Sequence, residues 1–178
     1  GFIGKNLALY LQHQGHEVEG WDYVANTIPD PRGYDWVVHL GAIASTTFTD
    51  VEQIIEQNLE YSLRLLQACD MMGTNFQYAS SASVYGSTTH FTEDGPLSPQ
   101  SPYAWSKYLF DRFVNQHIED FSVLVQGFRY FNVYGPRQDP KNSYSGVISI
   151  FIKNILEGSD ININGGYQTR DFVYVLDI

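Results

Sequence analysis

Hydrophobic residues recur along the chain at two different spacings, and each spacing predicts a different element. In four stretches they return every three or four positions, the pattern of a helix with one buried face. Glycine follows three of these stretches, at Gly15, Gly73 and Gly158, as is common after the end of a helix. We predict helices of about ten residues around Leu7 and Leu11, over about 51–72, over 103 to about 117, and over 147–156.

Short apolar runs between the helical stretches predict strands. The run at 36–40 is continuous, which is typical of a strand buried on both faces. Strands that alternate with helices over such lengths indicate a parallel α/β sheet with right-handed crossovers. The predicted strands cover 18–21, 36–40, 76–79, 123–130 and 170–175.

Both ends of the sequence have the character of interior segments. No methionine precedes Gly1, and the first residues resemble the middle of a turn that enters a helix. The last residues continue a predicted strand. We therefore expect the sequence to be a piece of a longer protein, truncated at both ends.

Composition narrows the class of protein. The 178 residues are 43% hydrophobic, which is ample for a packed core. The net charge of −10 disfavours nucleic acid as a partner and also an anionic membrane surface. No apolar run has the length of a membrane span, and the single cysteine, Cys69, excludes an internal disulfide. We expect a cytoplasmic protein that binds neither nucleic acid nor membrane.

The sequence gives no indication of a metal site. The five histidines, at 13, 16, 39, 90 and 117, do not have the spacing of metal ligands. Cys69 lies in the middle of a predicted helix. His39 lies in the predicted buried strand, and we interpret it as a residue of the core.

The first residues carry a candidate dinucleotide site. Gly1-Phe2-Ile3-Gly4 leads into a helix and so resembles the second half of a glycine-rich dinucleotide-binding turn. In such a turn, free backbone N–H groups bind the pyrophosphate. Asp22 follows about 18 residues after Gly4, close to the spacing of the acid that binds the adenosine ribose. A carboxylate there favours NAD over NADP. The alternative is an aspartate in an ordinary turn after a strand.

A tyrosine and a lysine form a second candidate site. Tyr103 and Lys107 are four residues apart and so lie on one face of a helix. Ser80 and Ser81 follow a predicted strand, at the edge of a parallel sheet where ligands bind. A nearby ammonium and a cationic nicotinamide would lower the pKa of the tyrosine toward neutrality, so that it acts as a base. The alternative is a surface pair beside a serine-rich turn.

Several motifs occur together in one order. They are Gly1-Phe2-Ile3-Gly4, His39-Leu40-Gly41-Ala42, Asn58, Ala79-Ser80-Ser81-Ala82-Ser83-Val84-Tyr85-Gly86, Tyr103-x-x-x-Lys107, Arg129-Tyr130-Phe131-Asn132-Val133-Tyr134-Gly135-Pro136-Arg137 and Thr169-Arg170-Asp171-Phe172-Val173-Tyr174. In this combination the sequence resembles the extended short-chain dehydrogenases/reductases, in their NAD-dependent nucleotide-sugar epimerase/dehydratase group. The resemblance covers essentially the whole chain.

The resemblance implies a fold and partners. It implies a doubly wound parallel sheet of Rossmann type over 1–135, which binds NAD, and the beginning of a smaller substrate-binding region over 136–178. It also implies a nucleotide-diphosphate sugar as substrate. In the family, the helices that correspond to 51–72 and 103–117 pair across a two-fold axis, which predicts a homodimer. The candidate residues for that face are Ile55, Leu59, Leu66, Phe110 and Val114, some of which must face the sheet instead.

The resemblance also assigns site residues. It implies that Ser81, Tyr103 and Lys107 are the catalytic residues. The NAD-binding residues are Gly1, Phe2, Ile3, Gly4, Asp22, Leu40, Gly41, Ala42, Asn58, Tyr103, Lys107 and Phe131. The substrate-binding residues are Ser81, Ser83, Asn132, Lys141 and Arg170.

Within the family the reaction that we predict is epimerisation. The second half of the chain is most similar to the UDP-glucose 4-epimerases, notably at 135–140 and 144–149, and the middle to the ADP-heptose 6-epimerases. Ala82 and Ser83 stand where the 4,6-dehydratases have an Asp-Glu pair, which disfavours elimination of water. A nucleotide-sugar dehydrogenase or reductase and a non-catalytic NAD-binding sensor remain alternatives. The connector between Asp22 and Tyr34 is shorter than in the family, so the sheet edge and the adenine pocket should differ there.

Overall fold

The computed structural model describes residues 1–141 and 146–178, so part of the 144–149 stretch lies outside the described residues. The chain divides into two units, one of residues 1–20 and 131–178 and the other of residues 21–130. The α-helices are α1 (Phe2–His13), α2 (Val51–Ile54), α3 (Tyr61–Met72), α4 (Pro102–His117) and α5 (Val147–Glu157). The strands are β1 (Trp36–His39), β2 (Asn75–Ala79), β3 (Val125–Phe128), β4 (Asn132–Tyr134) and β5 (Phe172–Tyr174).

A parallel sheet organises the unit of residues 21–130. Its strands follow the order β1-β2-β3, and both pairings are parallel. Phe76 of β2 lies opposite Val37 of β1 and Val125 of β3. The carboxyl ends of the strands therefore lie along one edge of the sheet, which is where ligands bind in folds of this kind. This confirms the predicted parallel α/β architecture.

The core of this unit lies between the sheet and two helices. Aromatic rings fill much of it: the ring centroids of Tyr78 and Phe110 are 4.7 Å apart in an edge-to-face arrangement. Three residues assigned to the dimer face, Leu66, Phe110 and Val114, are buried in this core and cannot lie on an outer surface. These are the residues of the stripe that face the sheet, since apolar periodicity alone does not distinguish a face on the sheet from a face on a partner. The buried cluster comprises Val37, Tyr61, Leu65, Leu66, Cys69, Phe76, Tyr78, Phe110 and Val114.

Gly127 of β3 is required by its neighbour in β2. A Cβ atom at this position would lie 2.3 Å from Cζ of Tyr78 and 2.4 Å from its hydroxyl oxygen. The Tyr78 ring therefore occupies the space that a side chain at 127 would take. The missing side chain allows the tyrosine to cross the neighbouring strand.

The unit of residues 1–20 and 131–178 contains α1, α5 and the parallel pair of β4 and β5. Asn6, which is buried in α1, donates from Nδ2 to the carbonyl oxygen of Pro136 at 2.9 Å. Its Oδ1 accepts a hydrogen bond of 2.6 Å from Arg137. Asn6 thus joins α1 to the segment after β4.

Most predicted elements are present, and the differences are local. The predicted strand at 18–21 is wrong: these residues form no regular structure and are mostly exposed, because they pair with no strand among the described residues. The strand at 123–130 is limited to β3, and β4 was not predicted. Residues 22–34 contain turns but neither helix nor strand, consistent with the short connector. No helix of the described residues combines the length and apolarity needed to cross a membrane.

Candidate active site

Helix α4 brings the predicted tyrosine and lysine together in the unit of residues 21–130. Its first residue is Pro102, and the hydroxyl of Ser101 accepts a hydrogen bond of 3.2 Å from the Ala104 amide, which caps the helix. Tyr103 and Lys107 are both buried, so neither belongs to a solvated surface pair.

Lys107 is fixed at the carboxyl end of β2. Its Nζ donates a hydrogen bond of 2.8 Å to the carbonyl oxygen of Ala79. Burial lowers the pKa of Lys107 to about 8, although the negative charge of Asp111 acts in the opposite direction. The ammonium is therefore charged at neutral pH and begins to lose its proton at mildly alkaline pH.

Ser81 and Tyr103 interact at the same edge. Burial raises the pKa of Tyr103, and the hydrogen-bonding interaction with the Ser81 side chain lowers it in part. In the chain alone the direction is thus opposite to the predicted lowering, because removal from water penalises the tyrosinate. Ser81 Oγ also accepts hydrogen bonds from the amide of Ser83 at 3.2 Å and from its hydroxyl at 2.9 Å.

His39 is a residue of the core, as predicted. It ends β1, and its Nε2 lies 2.8 Å from Oγ of Ser62. The Ser62 hydroxyl donates its proton to the carbonyl oxygen of Asn58 at 2.7 Å, so His39 carries its proton on Nε2 and donates to Ser62. Burial, with a smaller contribution from the charge of Lys107, lowers the pKa of His39 to about 3.

Asn58 holds the segment after β1 against α4. Its Oδ1 accepts a hydrogen bond of 2.8 Å from the Ile43 amide, while its Nδ2 donates to the Ile43 carbonyl and to Ser106 Oγ, both at 3.1 Å. The side chain is buried and both amide protons are used. Asn58 therefore positions the predicted cofactor loop. It lies in a π-helical segment, Ile55–Glu60, between α2 and α3, and such segments often occur at functional sites.

The residues predicted to line the cofactor follow β1 directly. Gly41 and Ala42 are exposed and Leu40 is half-buried. Because β1 and β2 are parallel neighbours, this loop lies at the same sheet edge as Ser81. An exposed loop with a glycine at this edge of the sheet fits a cofactor such as NAD.

In the other unit, the N-terminus of α1 is also suited to the predicted role. Its first turn contains no acidic residue, and no side chain caps it. Its amide groups and helix dipole therefore favour an anion such as a diphosphate. Gly1 is exposed, and Phe2, Ile3 and Gly4 are half-buried.

The remaining predicted residues lie on segments of the chain other than α4. Asp22 is an exposed residue of the unit of residues 21–130. In the other unit, Phe131 is half-buried, whereas Asn132, Lys141 and Arg170 are exposed. Asn132 Nδ2 donates a hydrogen bond of 2.9 Å to the Asp171 carbonyl.

One buried charge beside the site was not predicted from the sequence. Asp111 lies on α4 one turn after Lys107 and forms an ion pair of 3.2 Å with Arg129. Its position, eight residues after Tyr103 on the same helical face, was the available signal. In residues 1–141 and 146–178, no three His, Cys, Asp or Glu side chains are grouped so as to hold a metal ion.

Comparison with known proteins identifies the family. The model of the NAD dependent epimerase/dehydratase family matches residues 1–178, and the chain belongs to this family. NAD is the cofactor of the family, and the fold is the α/β Rossmann type of its members.

Three solved structures illustrate the similarity. The UDP-N-acetylglucosamine 4-epimerase of Methanobrevibacter ruminantium M1 is 35% identical, with a TM-score of 0.77 over 81% of this chain and 48% of that chain. The ADP-L-glycero-D-manno-heptose-6-epimerase of Helicobacter pylori is 36% identical, with a TM-score of 0.71 over 80% and 46%. TunA, an NAD dependent NDP-hexosamine 5,6-dehydratase of tunicamycin biosynthesis, is 30% identical, with a TM-score of 0.85 over 99% and 66%. The chain spans about half the length of the two epimerases.

Proposed function

We propose that the protein epimerises a nucleotide sugar, in the manner of a UDP-glucose 4-epimerase, by transient oxidation to a keto-sugar. The observation that carries this proposal is the burial of Tyr103 and Lys107 on one face of α4, with Ser81 interacting with the tyrosine. A protein that only binds NAD does not need a buried phenol next to a serine hydroxyl at the sheet edge where ligands bind. This disfavours the alternative of a non-catalytic sensor.

The three side chains divide the acid–base chemistry. Tyr103 takes the proton from a sugar hydroxyl, and Ser81 forms a hydrogen bond to the same oxygen. Lys107, which is charged at neutral pH, stabilises the tyrosinate and donates to the nicotinamide ribose. When bound, NAD would supply reversible hydride transfer at the same sugar carbon, and return of the hydride to the opposite face would leave no net oxidation.

Because burial raises the pKa of Tyr103, the tyrosine needs nearby positive charge to act as a base. A phenol whose pKa lies above its ordinary value is protonated at neutral pH and is a weak base. An ammonium next to the tyrosinate lowers that pKa, and so does the positive charge of an oxidised nicotinamide. The tyrosine thus becomes a base only when cofactor and lysine are both in place.

The substrate diphosphate is assigned to exposed residues of the unit of residues 1–20 and 131–178. Arg170 offers a planar fork of donors that suits a phosphate, and Asn132 offers an amide. Lys141 is a further cation of this unit, and Ser83 adds a hydroxyl to the Ser81 turn. The proposed cytoplasmic homodimer rests on the family resemblance.

A product analysis tests the proposal. The full-length protein is incubated with NAD and, in turn, UDP-glucose, UDP-N-acetylglucosamine and an ADP-heptose, and the products are followed by NMR and mass spectrometry. Epimerisation predicts a product of unchanged mass without net NADH. Loss of the mass of one water would identify a dehydratase, and stoichiometric NADH a dehydrogenase; either result would overturn the proposal.

A further inference from the structure

A buried carboxylate lies next to the catalytic residues and has no part in the chemistry described above. Asp111 is only 3% exposed. Its Oδ2 accepts a hydrogen bond of 2.8 Å from Ser80 Oγ and another of 3.2 Å from Nε of Arg129. Its Oδ1 is also buried and has no hydrogen-bond partner among the described residues.

Stability alone does not account for this group. Burial of a carboxylate is unfavourable unless it is fully paired, and apolar replacements of buried ion pairs are often equally stable. Arg129 is shared, since its Nη1 also donates to the hydroxyl of Tyr85 at 3.2 Å and to the carbonyl oxygen of Glu93 at 3.0 Å. The hydroxyl of Tyr78 also interacts with this carboxylate. Even so, Oδ1 of Asp111 has no hydrogen-bond partner among the described residues, so part of the hydrogen-bonding capacity of the buried carboxylate is unused.

Asp111 completes a series of attachments between α4 and the end of β2. Lys107 binds the carbonyl oxygen of Ala79, and Asp111 binds the hydroxyl of the next residue, Ser80. The residue after that, Ser81, interacts with Tyr103. Residues 79–81 thus each interact with a side chain of α4, and these three side chains lie one turn apart on one face of the helix. The hydrogen bond to Ser80 fixes the backbone next to Ser81.

The charge of Asp111 also acts on Lys107. The titratable groups that interact with this lysine are Asp111 from α4 and His39 from β1. Tyr78 from β2 and Arg129 after β3 interact with Asp111. His39 is neutral and burial keeps Tyr78 protonated. Asp111 is therefore the group that favours the charged form of Lys107 against burial.

We propose that Asp111 is a positioning residue of the active site, which orients Ser81 through Ser80 and keeps Lys107 protonated where it contacts the cofactor. The role rests on the function proposed for Lys107 and Ser81. It differs from theirs because Asp111 touches neither substrate nor cofactor. It acts through a hydrogen bond and through its charge.

The charge is tested by the pH dependence of NADH binding to the full-length protein. Asp111→Asn keeps the size of the side chain and an acceptor for Ser80 but removes the charge. The affinity of the parent for NADH should fall as Lys107 loses its proton near pH 8. In the variant this fall should move to lower pH by about one unit or more. An unchanged midpoint would overturn the proposal.

A matched control shows whether the shift of the pH midpoint is specific to Asp111 or follows from the removal of any aspartate charge. Asp70 of α3 accepts a hydrogen bond of 2.7 Å from the hydroxyl of Ser122, far along the chain from the site. Asp70→Asn makes the same chemical change in another Asp–Ser pair. It should leave the pH midpoint of NADH binding at the parental value, and an equal shift in both variants would contradict a specific role for Asp111.

The hydrogen bond is tested by Ser80→Ala, which removes one hydroxyl and also serves if Asp111→Asn does not fold. Turnover should fall about tenfold while the pH midpoint of NADH binding stays constant. Parental turnover would overturn the positioning of Ser81. Failure of the proposed function can be distinguished from failure of the role of Asp111. In that case the parent protein itself would not epimerise any sugar, while the NADH measurements would still test Asp111.

Discussion

At the scale of single residues, the hydroxyl of Tyr103 is the group on which the proposed chemistry depends. Tyr103→Phe keeps the ring that fills this buried position and loses the titratable oxygen. Turnover should fall by at least ~10²-fold, the usual contribution of a general base, while the sugar still binds. Steady-state kinetics with an equilibrium binding measurement checks both.

Tyr108 supplies the control for this change. It lies on the same helix, is half-buried and packs edge-to-face on Trp105 at 5.4 Å. Tyr108→Phe should retain parental turnover. Parental turnover of Tyr103→Phe would remove the tyrosine from the mechanism, whatever the fold.

His39 should make the protein sensitive to acid. Its pKa is about 3 in the folded chain against 6.5 for an ordinary histidine, so the unfolded state binds a proton that the folded state does not. The contribution of neutral His39 is complete above about pH 6.5 and is lost as the pH falls. The free energy of unfolding should therefore decrease by about 2 kcal/mol from this residue between pH 7.5 and pH 5.

Urea unfolding at the two pH values measures this decrease. His39→Gln stays neutral throughout, and an amide can still donate to Ser62. The variant should lose about 2 kcal/mol less than the parent over the same interval, since all other titrating groups are common to both. Equal losses in the two proteins would show that His39 becomes protonated in the folded state.

Asp22 should determine the choice between NAD and NADP. A carboxylate at the adenosine ribose accepts hydrogen bonds from the 2′-hydroxyl and repels a 2′-phosphate. NAD should bind more than tenfold more tightly, or more than ~1.4 kcal/mol, in a cofactor titration of the full-length protein. Equal affinities would place Asp22 away from the ribose.

At the scale of elements, the π-helical segment carries Asn58, whose side chain joins the loop after β1 to α4. Asn58→Ala removes three hydrogen bonds that join the loop after β1 to α4 and leaves polar partners buried. The free energy of unfolding should decrease by about 2 kcal/mol or more, and NAD affinity should decrease with it. Asn115→Ala, at an exposed position of α4, is the control and should change the free energy by less than about 0.5 kcal/mol.

The elements that could be predicted from sequence are those whose signal is local. The helix at 103–117 was predicted from periodicity and the strand at 36–40 from a continuous apolar run, and both are present as α4 and β1. The strand at 18–21 is absent because a strand also needs a partner, which no local pattern encodes. At the site, Tyr103 and Lys107 are four apart in sequence and therefore adjacent on the helix.

Other parts of the site could not be predicted in this way. An aspartate is usually exposed, so the sequence alone gives no reason to expect that Asp111 is buried. Its burial depends on the hydrogen bond from Ser80 and the ion pair with Arg129. The pKa of Tyr103 was expected to fall through the lysine and a cationic nicotinamide together, whereas in the chain alone burial raises it. Both depend on contacts between elements distant in the sequence.

At the scale of the whole molecule, the remaining apolar surface of α4 bears on assembly. With Phe110 and Val114 in the core, the exposed apolar residues of this helix are Trp105, at 48%, and Leu109, at 39%. We expect these residues to form part of a homodimer interface. Sedimentation of the full-length protein should show a dimer at micromolar concentration, and Leu109→Glu should shift it toward monomer. A monomeric parent would contradict this expectation.

The order of strands has a kinetic consequence. Each parallel pairing in the sheet joins segments separated by a long stretch of chain, since β1 pairs with β2 and β2 with β3 only after a helical crossover. Contacts that close such long loops form slowly, whereas single helices form within about a microsecond. The contact of Ser81 with Tyr103 and the bond of Lys107 to Ala79 both require that β2 and α4 have docked. During refolding, helical signal should therefore return first, and the ability to bind cofactor should return last.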